Sequence, residues 1–376
     1  MSKASALSQY GIDAVSVPMG VADTSWIEHE WDWLQQFKTI YLIFDNDRAG
    51  QENVVNIANR LGRWRCHNVI LPEKDANDCL IKGVELATIT ECIQNAHEFE
   101  ISNLVSASYF EDEILELFKD PRQLSGTSTG FNGLDKILRG WRMEELTLWS
   151  GSNGSGKSTF LNEVIINLAR NQVRSCIASL EMPPSRYLRW AICQVARKDK
   201  PAVEEIRETL KFLDEYLYVV NAREEIDSSE LVNIFEYAAR KYGVKHFFID
   251  SLMRVSFPMK DEIKEHTKFC NDLLAFAKDH QIHIHLVAHP RKGSKDTYTP
   301  GKVDVSGTSN LTNLAHNVLV LWRPNDELRD KAKQKGKDMA DNYILVRKNR
   351  EWGTEGKVMF RFNPDTKNFT EIEKNT

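Results

Sequence analysis

The stretch GSNGSGKS, Gly151 to Ser158, narrows the possible folds of this chain more than any other, because it satisfies the whole of G-x-x-x-x-G-K-[ST]. An apolar run, ELTLWSG, leads into it, and a run with helical spacing leads out. A loop in that setting turns its backbone N–H groups inward, and the helix start behind it adds a dipole that favours anions. Gly151, Gly154 and Gly156 permit the backbone conformations such a loop needs, and Ser152, Asn153, Ser155 and Thr159 complete the expected nucleotide contacts. Lys157 is expected to reach the β and γ phosphates and Ser158 to meet Mg2+. The implied substrate is a nucleoside triphosphate, ATP or another such as dTTP.

From Glu145 onward, β-rich runs alternate with helical ones, which predicts an α/β domain around a parallel sheet. The strand candidates are ELTLWSG, SCIASLE, LYVVN, HFFID, HIHLVAH and NVLVLWR. HFFID ends on Asp250, the apolar strand and aspartate that help hold Mg2+ in P-loop NTPases. Glu181 closes SCIASLE and is a candidate for polarising an attacking water. His289 closes HIHLVAH and is a candidate for sensing the γ-phosphate. Ligands of open α/β sheets collect at the carboxyl ends of strands, where all three residues fall. Asp227 to Glu230, DSSE, has the spacing of a capping box. After Asn342 the pattern changes to strands alone, YILVRKNR and GKVMFRFN, around the turn EWGTEG.

A chain of 376 residues is long for one core and suits a larger and a smaller domain. Toward the N-terminus, AVSVPMG, TIYLIFD and HNVILPE predict strands, and Val54, Ile57, Ala58 and Leu61 mark one face of a helix between the last two. This is the pattern of a small α/β unit with a parallel sheet. Leu104 to Phe118 predicts an amphipathic helix, with Phe110, Ile114, Leu117 and Phe118 on its stripe and Glu111, Asp112, Glu113 and Glu116 opposite. That stripe has two candidate partners, its own domain or a neighbouring subunit. KDPRQLSGTSTG then reads as a linker. The six cysteines are scattered without metal-ligand spacing, as expected of reduced thiols. No run of about 18 apolar residues occurs, and the N-terminus lacks the marks of a targeting peptide, so a soluble protein without a membrane partner is expected. The net charge of -5 requires any nucleic-acid contact to rest on a local basic surface.

Such a surface is available after His289, where PRKGSKDTYTPGKVDVSGTSN forms a long loop rich in Gly, Pro, Lys and Arg. Arg291, Lys292 and Lys295 are candidates for phosphate contact, with Ser306 and Asn310 as neutral donors. Taken in order, STGFNGLDKILRG, the P-loop, SLEM, FFIDSL, VAHPRK, DVSGTSNLTNLAHNVLVLWR and VRKNR resemble the RecA-fold replicative ring helicases of the DnaB superfamily, over about Ser125 to Phe362. Within it the likeness is greatest to phage primase-helicases and Twinkle-type helicases. The resemblance implies that Lys157, Ser158 and Asp250 serve phosphate and Mg2+, Glu181 is the catalytic base and His289 the sensor. It implies that Lys348 and Arg350 reach a neighbouring subunit's site, Arg350 as arginine finger, and that Arg291, Lys292 and Lys295 lie in a central-channel loop.

IYLIFDNDRAG and ILPEKDANDCL together resemble the second half of a TOPRIM domain, the metal-binding fold of primases and topoisomerases, with Asp45, Asp47 and Asp75 at its acidic positions. That fold also takes a glutamate from a strand upstream of Ser5. Because the sequence starts at Met1, the expectation is half a metal site and no primer synthesis. The expected architecture is thus a partial TOPRIM-like α/β domain (residues 1–100), a linker helix and linker (101–124), and a RecA-like P-loop motor (125–376). The expected activity is nucleotide-driven 5′ to 3′ movement on single-stranded and forked DNA by a ring, hexameric by resemblance. A DNA polymerase and a single-strand-binding protein are expected partners, in the cytoplasm of a bacterium or phage-infected cell. A RecA- or RadA-type recombinase and a non-motor replication scaffold are the alternatives.

Overall fold

The computed structural model describes residues 3–17, 24–99, 107–119, 124–222, 225–258, 261–289, 309–336 and 338–373. The chain divides into two compact units, residues 1–112 with 239–243, and residues 113–238 with 244–376.

In the first unit, β1 (Ile40–Leu42) pairs in parallel with β2 (Cys66–Asn68), which pairs antiparallel with β3 (His97–Glu98). The helix Arg48–Leu61 connects β1 to β2 and buries Val54, Ile57, Ala58 and Leu61 completely, as its spacing requires. The described part of the expected strand over Ala14–Gly20 forms no strand. Ala14 to Val17 are irregular and Val15 is 73% exposed, while residues 18–20 lie outside the described residues. A β-rich run becomes a strand only beside a partner, and β1 takes its described partner, β2, from the other end of the connecting helix.

The helix Glu111–Lys119 realises part of the expected amphipathic segment, whose residues 104–106 lie outside the described ones. It has no buried residue, and Tyr109, Phe110, Ile114, Leu115 and Phe118 are all exposed. Residues 120–123, in the expected linker, are also outside the described part.

The second unit is built on a sheet in the order β12-β11-β10-β9-β4-β8-β7-β5-β6. These strands are β4 (Leu146–Ser150), β5 (Ser175–Ser179), β6 (Leu217–Val219), β7 (His246–Asp250), β8 (His283–Val287), β9 (Asn317–Trp322), β10 (Asn342–Asn349), β11 (Gly356–Phe362) and β12 (Phe369–Glu371). From β9 to β6 all pairs are parallel, and β9 to β12 run antiparallel. Every residue of β4, β5, β7 and β8 is buried, which is why these strands read as continuous runs rather than alternating ones. One core gathers Trp141, Trp149, Phe160, Phe248 and Phe360 around the P-loop helix, Lys157–Arg170. The DSSE segment starts the helix Ser228–Tyr242, with Asp227 Oδ1 accepting from the Ser229 N–H at 2.8 Å.

Three histidines sit fully buried in the middle strands, His246 on β7 and His283 and His285 on β8. His283 Nδ1 donates to the Arg142 carbonyl at 2.5 Å, since a carbonyl only accepts, and its Nε2 accepts from the Thr147 hydroxyl at 2.9 Å. The Trp149 indole N–H donates to His285 Nδ1 at 3.2 Å, leaving His285 Nε2 to donate to His246 Nδ1 at 3.3 Å. Each bond fixes a neutral ring. Burial pushes His283 down to about 3 and His246 and His285 well below their usual value, and burial with the cations of Arg350 and Lys348 pushes His316 to about 4.

Unfolded histidines take up a proton below about 6.5, whereas these rings stay neutral in the native state, so the unfolded state binds more protons and stability falls on acidification. The slope approaches about 1.4 kcal/mol per pH unit for each ring below that pH. Asp250, raised to about 6 by burial, opposes this by up to one proton. The urea midpoint should therefore fall steadily between pH 7 and pH 5. His246→Gln keeps an acceptor for His285 but cannot titrate, so it should remove about one proton's worth of that slope; an unaltered slope would show that His246 is not held neutral.

Candidate nucleotide site

The P-loop leaves β4 at Ser150 and enters its helix at Lys157. Gly151 has φ +150°, and a Cβ there would lie 2.2 Å from the Leu321 carbonyl oxygen of β9, so only glycine lets loop and strand approach so closely. Gly156, at φ +97°, turns the chain into the helix. On the far side of the loop, Asn342 Nδ2 of β10 donates to the Ser155 carbonyl at 2.8 Å. The hydroxyls of Ser150 and Ser155 are buried and have no hydrogen-bond partner among the described residues. Unpaired buried donors beside inward-turned amides suit a ligand that brings its own acceptors, as phosphate does.

Lys157 is buried and donates through Nζ to the carbonyls of Gly151 at 2.8 Å and Ser152 at 3.1 Å. Burial lowers its pKa, and the carboxylates of Asp250 and Glu181 pull it back up. Asp250 ends β7 almost fully buried. Burial raises it to about 6, while a hydrogen bond from the Ser158 hydroxyl works in the opposite direction. A carboxylate and a hydroxyl meeting at the mouth of a phosphate cradle are hard oxygen donors of the kind Mg2+ prefers, and the high cost of the Asp250 charge is what a divalent cation would relieve.

Glu181 and His289 each lie two residues beyond the strands expected to end on them, since β5 ends at Ser179 and β8 at Val287. They nevertheless meet, with His289 Nε2 and Glu181 Oε1 2.8 Å apart. His289 Nδ1 lies 3.1 Å from Asn153 Oδ1 in the P-loop, and the Ser251 hydroxyl donates to Glu181 Oε1 at 2.5 Å. The hydrogen bond to His289, followed by that to Ser251, lowers Glu181 to about 2. Parallel β4, β5, β7 and β8 thus deliver the four polar groups named from sequence to a single edge.

Lys348 and Arg350 lie elsewhere. Lys348 is opposite Val318, which is opposite Leu148, and the Arg350 N–H bonds to the His316 carbonyl before β9 begins. Arg350 is therefore level with the start of β4, roughly 16 Å along the strand from the P-loop. Lys348 Nζ donates to the carbonyls of Thr312, Asn313 and Ala315 at 2.9, 3.0 and 2.6 Å, and Arg350 Nη2 to that of Asn313 at 2.6 Å. Both clasp the end of the helix Ser309–Leu314, whose last carbonyls have no partner within the helix. Arg291, Lys292, Lys295 and Ser306 lie outside the described residues, and Asn310 Nδ2 reaches Thr267 Oγ1 at 3.5 Å.

In the first unit, Asp45 forms an ion pair with Lys3, and Asp47 lies 3.5 Å from Lys74. Asp47 also caps the helix Arg48–Leu61 through the Gly50 N–H, and Asp75 caps Ala76–Ile81 through the Asp78 N–H, each at 2.9 Å. No group of three or more His, Cys, Asp or Glu placed to hold a metal occurs among the described residues. Ser251 and Asn342 were not identified from sequence. A polar residue directly after Asp250 was a signal for the first, whereas Asn342 bonds across 187 residues and leaves no local mark.

Residues 126–371 match the family described as DnaB-like helicase C terminal domain, and residues 4–80 the Toprim-like family. The chain is 28% identical over 328 residues to the Twinkle homolog protein, chloroplastic/mitochondrial, of Arabidopsis thaliana, covering 79% of this chain and 45% of that protein. It is 24% identical over 319 residues to the DNA helicase/primase of Enterobacteria phage T3, covering 78% and 55%. It thus spans about half the length of these relatives. Among solved structures, one described as an ATPase domain superposes with a TM-score of 0.61 at 16% identity over 72% of this chain and all of that one. A DnaB-like replicative helicase solved in a study of its interactions with primase gives 0.60 at 18%, over 79% and 74%. Both likenesses are of fold: a RecA-type α/β domain, here preceded by a Toprim-like one.

The Asn342 bond yields a direct expectation. Asn342→Leu leaves the Ser155 carbonyl without its donor, which should cost about 1–3 kcal/mol of stability, read as a lower urea midpoint. An unchanged midpoint would mean the loop is not held from β10.

Proposed function

Since the chain belongs to the family of DnaB-like helicase C-terminal domains, we propose that it is the motor of a ring helicase, driven by a nucleoside triphosphate along single-stranded DNA. The observation that carries this reading is the placement of the charged groups on two opposite edges of one sheet. Lys157, Ser158, Asp250, Glu181 and His289 converge at the carboxyl edge, while Arg350 stands at the amino edge, too far to serve its own P-loop. A guanidinium so placed can act on a phosphate only across a subunit boundary, and repetition of that contact around an axis generates a ring. The exposed stripe of Glu111–Lys119 supports the same assembly, because its aromatic and aliphatic side chains have no described cover.

In this reading the P-loop amides and Lys157 bind the phosphates, and Ser158 and Asp250 hold Mg2+, which neutralises charge on the β and γ phosphates. Glu181 orients and deprotonates the attacking water, and His289 reports the γ-phosphate. Arg291, Lys292 and Lys295 meet the DNA backbone, movement is 5′ to 3′, and ATP or dTTP is the fuel. A hexamer, forked DNA as the substrate, a polymerase and a single-strand-binding protein as partners, and a cytoplasmic location complete the proposal. Primer synthesis is not part of it, because Lys3 and Lys74 already sit against the acidic pair of the Toprim-like unit.

Glu181→Gln should retain nucleotide binding and lose at least two orders of magnitude in turnover, as removal of a general base does. Lys157→Ala and Arg350→Ala, each inactive alone, should recover hydrolysis when co-assembled, because an intact P-loop can then face an intact arginine across one boundary. Arginine fingers are worth about 10³-fold or more, so recovery is readily seen. Mixed rings that form by sizing yet stay inactive at every ratio would exclude Arg350 as a group acting between subunits.

A further inference from the structure

Glu181 Oε1 accepts two hydrogen bonds, from Ser251 Oγ at 2.5 Å and from His289 Nε2 at 2.8 Å, and the other ring nitrogen of His289 lies 3.1 Å from Asn153 Oδ1. One line of side chains therefore joins the turn after β7, the turn after β5, the turn after β8 and the P-loop. In this arrangement both candidate working groups are occupied. Oε1 of the carboxylate already accepts from Ser251 and from His289, so that oxygen is not free to accept from a water until one donor leaves. The imidazole has both nitrogens engaged, Nε2 donating to Glu181 and Nδ1, an acceptor in the neutral ring, taking a hydrogen from the Asn153 amide when that group is turned with its NH2 inward, so it must release one before it can turn to a phosphate.

We propose that Ser251 and Asn153 are positioning residues that keep Glu181 and His289 in a resting clasp, and that the γ-phosphate of a bound triphosphate opens it. The proposal rests on the reading of Gly151–Ser158 as a nucleotide site. Asn153 is the third residue of that loop, so a terminal phosphate entering the loop competes for His289 where Asn153 holds it. A diphosphate lacks that group and leaves the clasp closed. A ligand shifts such an equilibrium only by its difference in affinity for the two states, so part of the triphosphate's binding free energy is used to open the clasp. Weakening the clasp must then tighten triphosphate binding and leave diphosphate binding alone. Ser251 is the residue to change, because it touches Glu181 and stands outside the loop.

The test is equilibrium competition binding with the full chain and Mg2+, using adenosine and thymidine diphosphates and the β,γ-methylene analogues of the triphosphates. Ser251→Ala should lower Kd for the triphosphate analogue by about three- to tenfold, the range of one hydrogen bond to a charged group. Kd for the matching diphosphate should not move, and Ser251→Thr should restore the parent ratio. Ser251→Cys, nearly the same size and a poorer donor, should shift the ratio the same way by less, and keeps the test decisive if the alanine variant unfolds. Parallel changes for both ligands, or no change while the parent binds both, overturn the clasp. A parent that binds none of the four nucleotides overturns the nucleotide site and the clasp with it.

Discussion

The constraint on which the second unit depends is the common direction of β4, β5, β7 and β8. Parallel neighbours must all be crossed over by helices, so the turns that follow them collect on one side of the sheet and the turns that precede them on the other. The P-loop, Glu181, Asp250 and His289 follow strands and therefore meet. Arg350 follows β10, which runs the other way, and is carried to the opposite edge. A single switch from parallel to antiparallel pairing, between β9 and β10, separates the groups gathered at the P-loop edge from Arg350.

The same buried strands impose a second condition. A sheet covered on both faces has little room for polar side chains, yet His246, His283 and His285 stand in it beside Thr147, Trp149 and Phe248. They are tolerated because nearly every ring nitrogen has a defined role as donor or acceptor, His246 Nε2 alone among the three rings being without a partner in the described residues. A network of this kind fixes strand register, since sliding β8 by one residue past β4 would place these rings against carbonyls and side chains that cannot match them.

Much of this was legible in the sequence because it depends on local pattern. The P-loop, the apolar runs ending on Asp250 and near Glu181 and His289, and the helical spacing of Val54, Ile57, Ala58 and Leu61 each lie within one element and its cap. What local pattern could not give were contacts set by the third dimension. Ala14 to Val17 have strand composition and no strand, because composition does not supply a neighbour. Ser251 and Asn342 hold the site from residues near in space and unremarkable in sequence. The acidic residues of the Toprim-like unit are expected at a metal site by resemblance, and two of them are helix caps, an equally good use of an aspartate at the mouth of a helix. Resemblance alone does not distinguish those uses.

Lys348 and Arg350 show how two cations of one short segment can share a task. The ammonium of Lys348 spends its hydrogen-bonding capacity on three carbonyls at the end of Ser309–Leu314, whereas Arg350 gives that end its Nη2. The lysine bridges three carbonyls, and the arginine doubles one of those bonds. The Asn313 carbonyl is met by both groups, Lys348 at 3.0 Å and Arg350 at 2.6 Å, so it keeps a donor even without the arginine. The last helical turn before β9 is thus tied twice over, and its closure does not depend on where the arginine points.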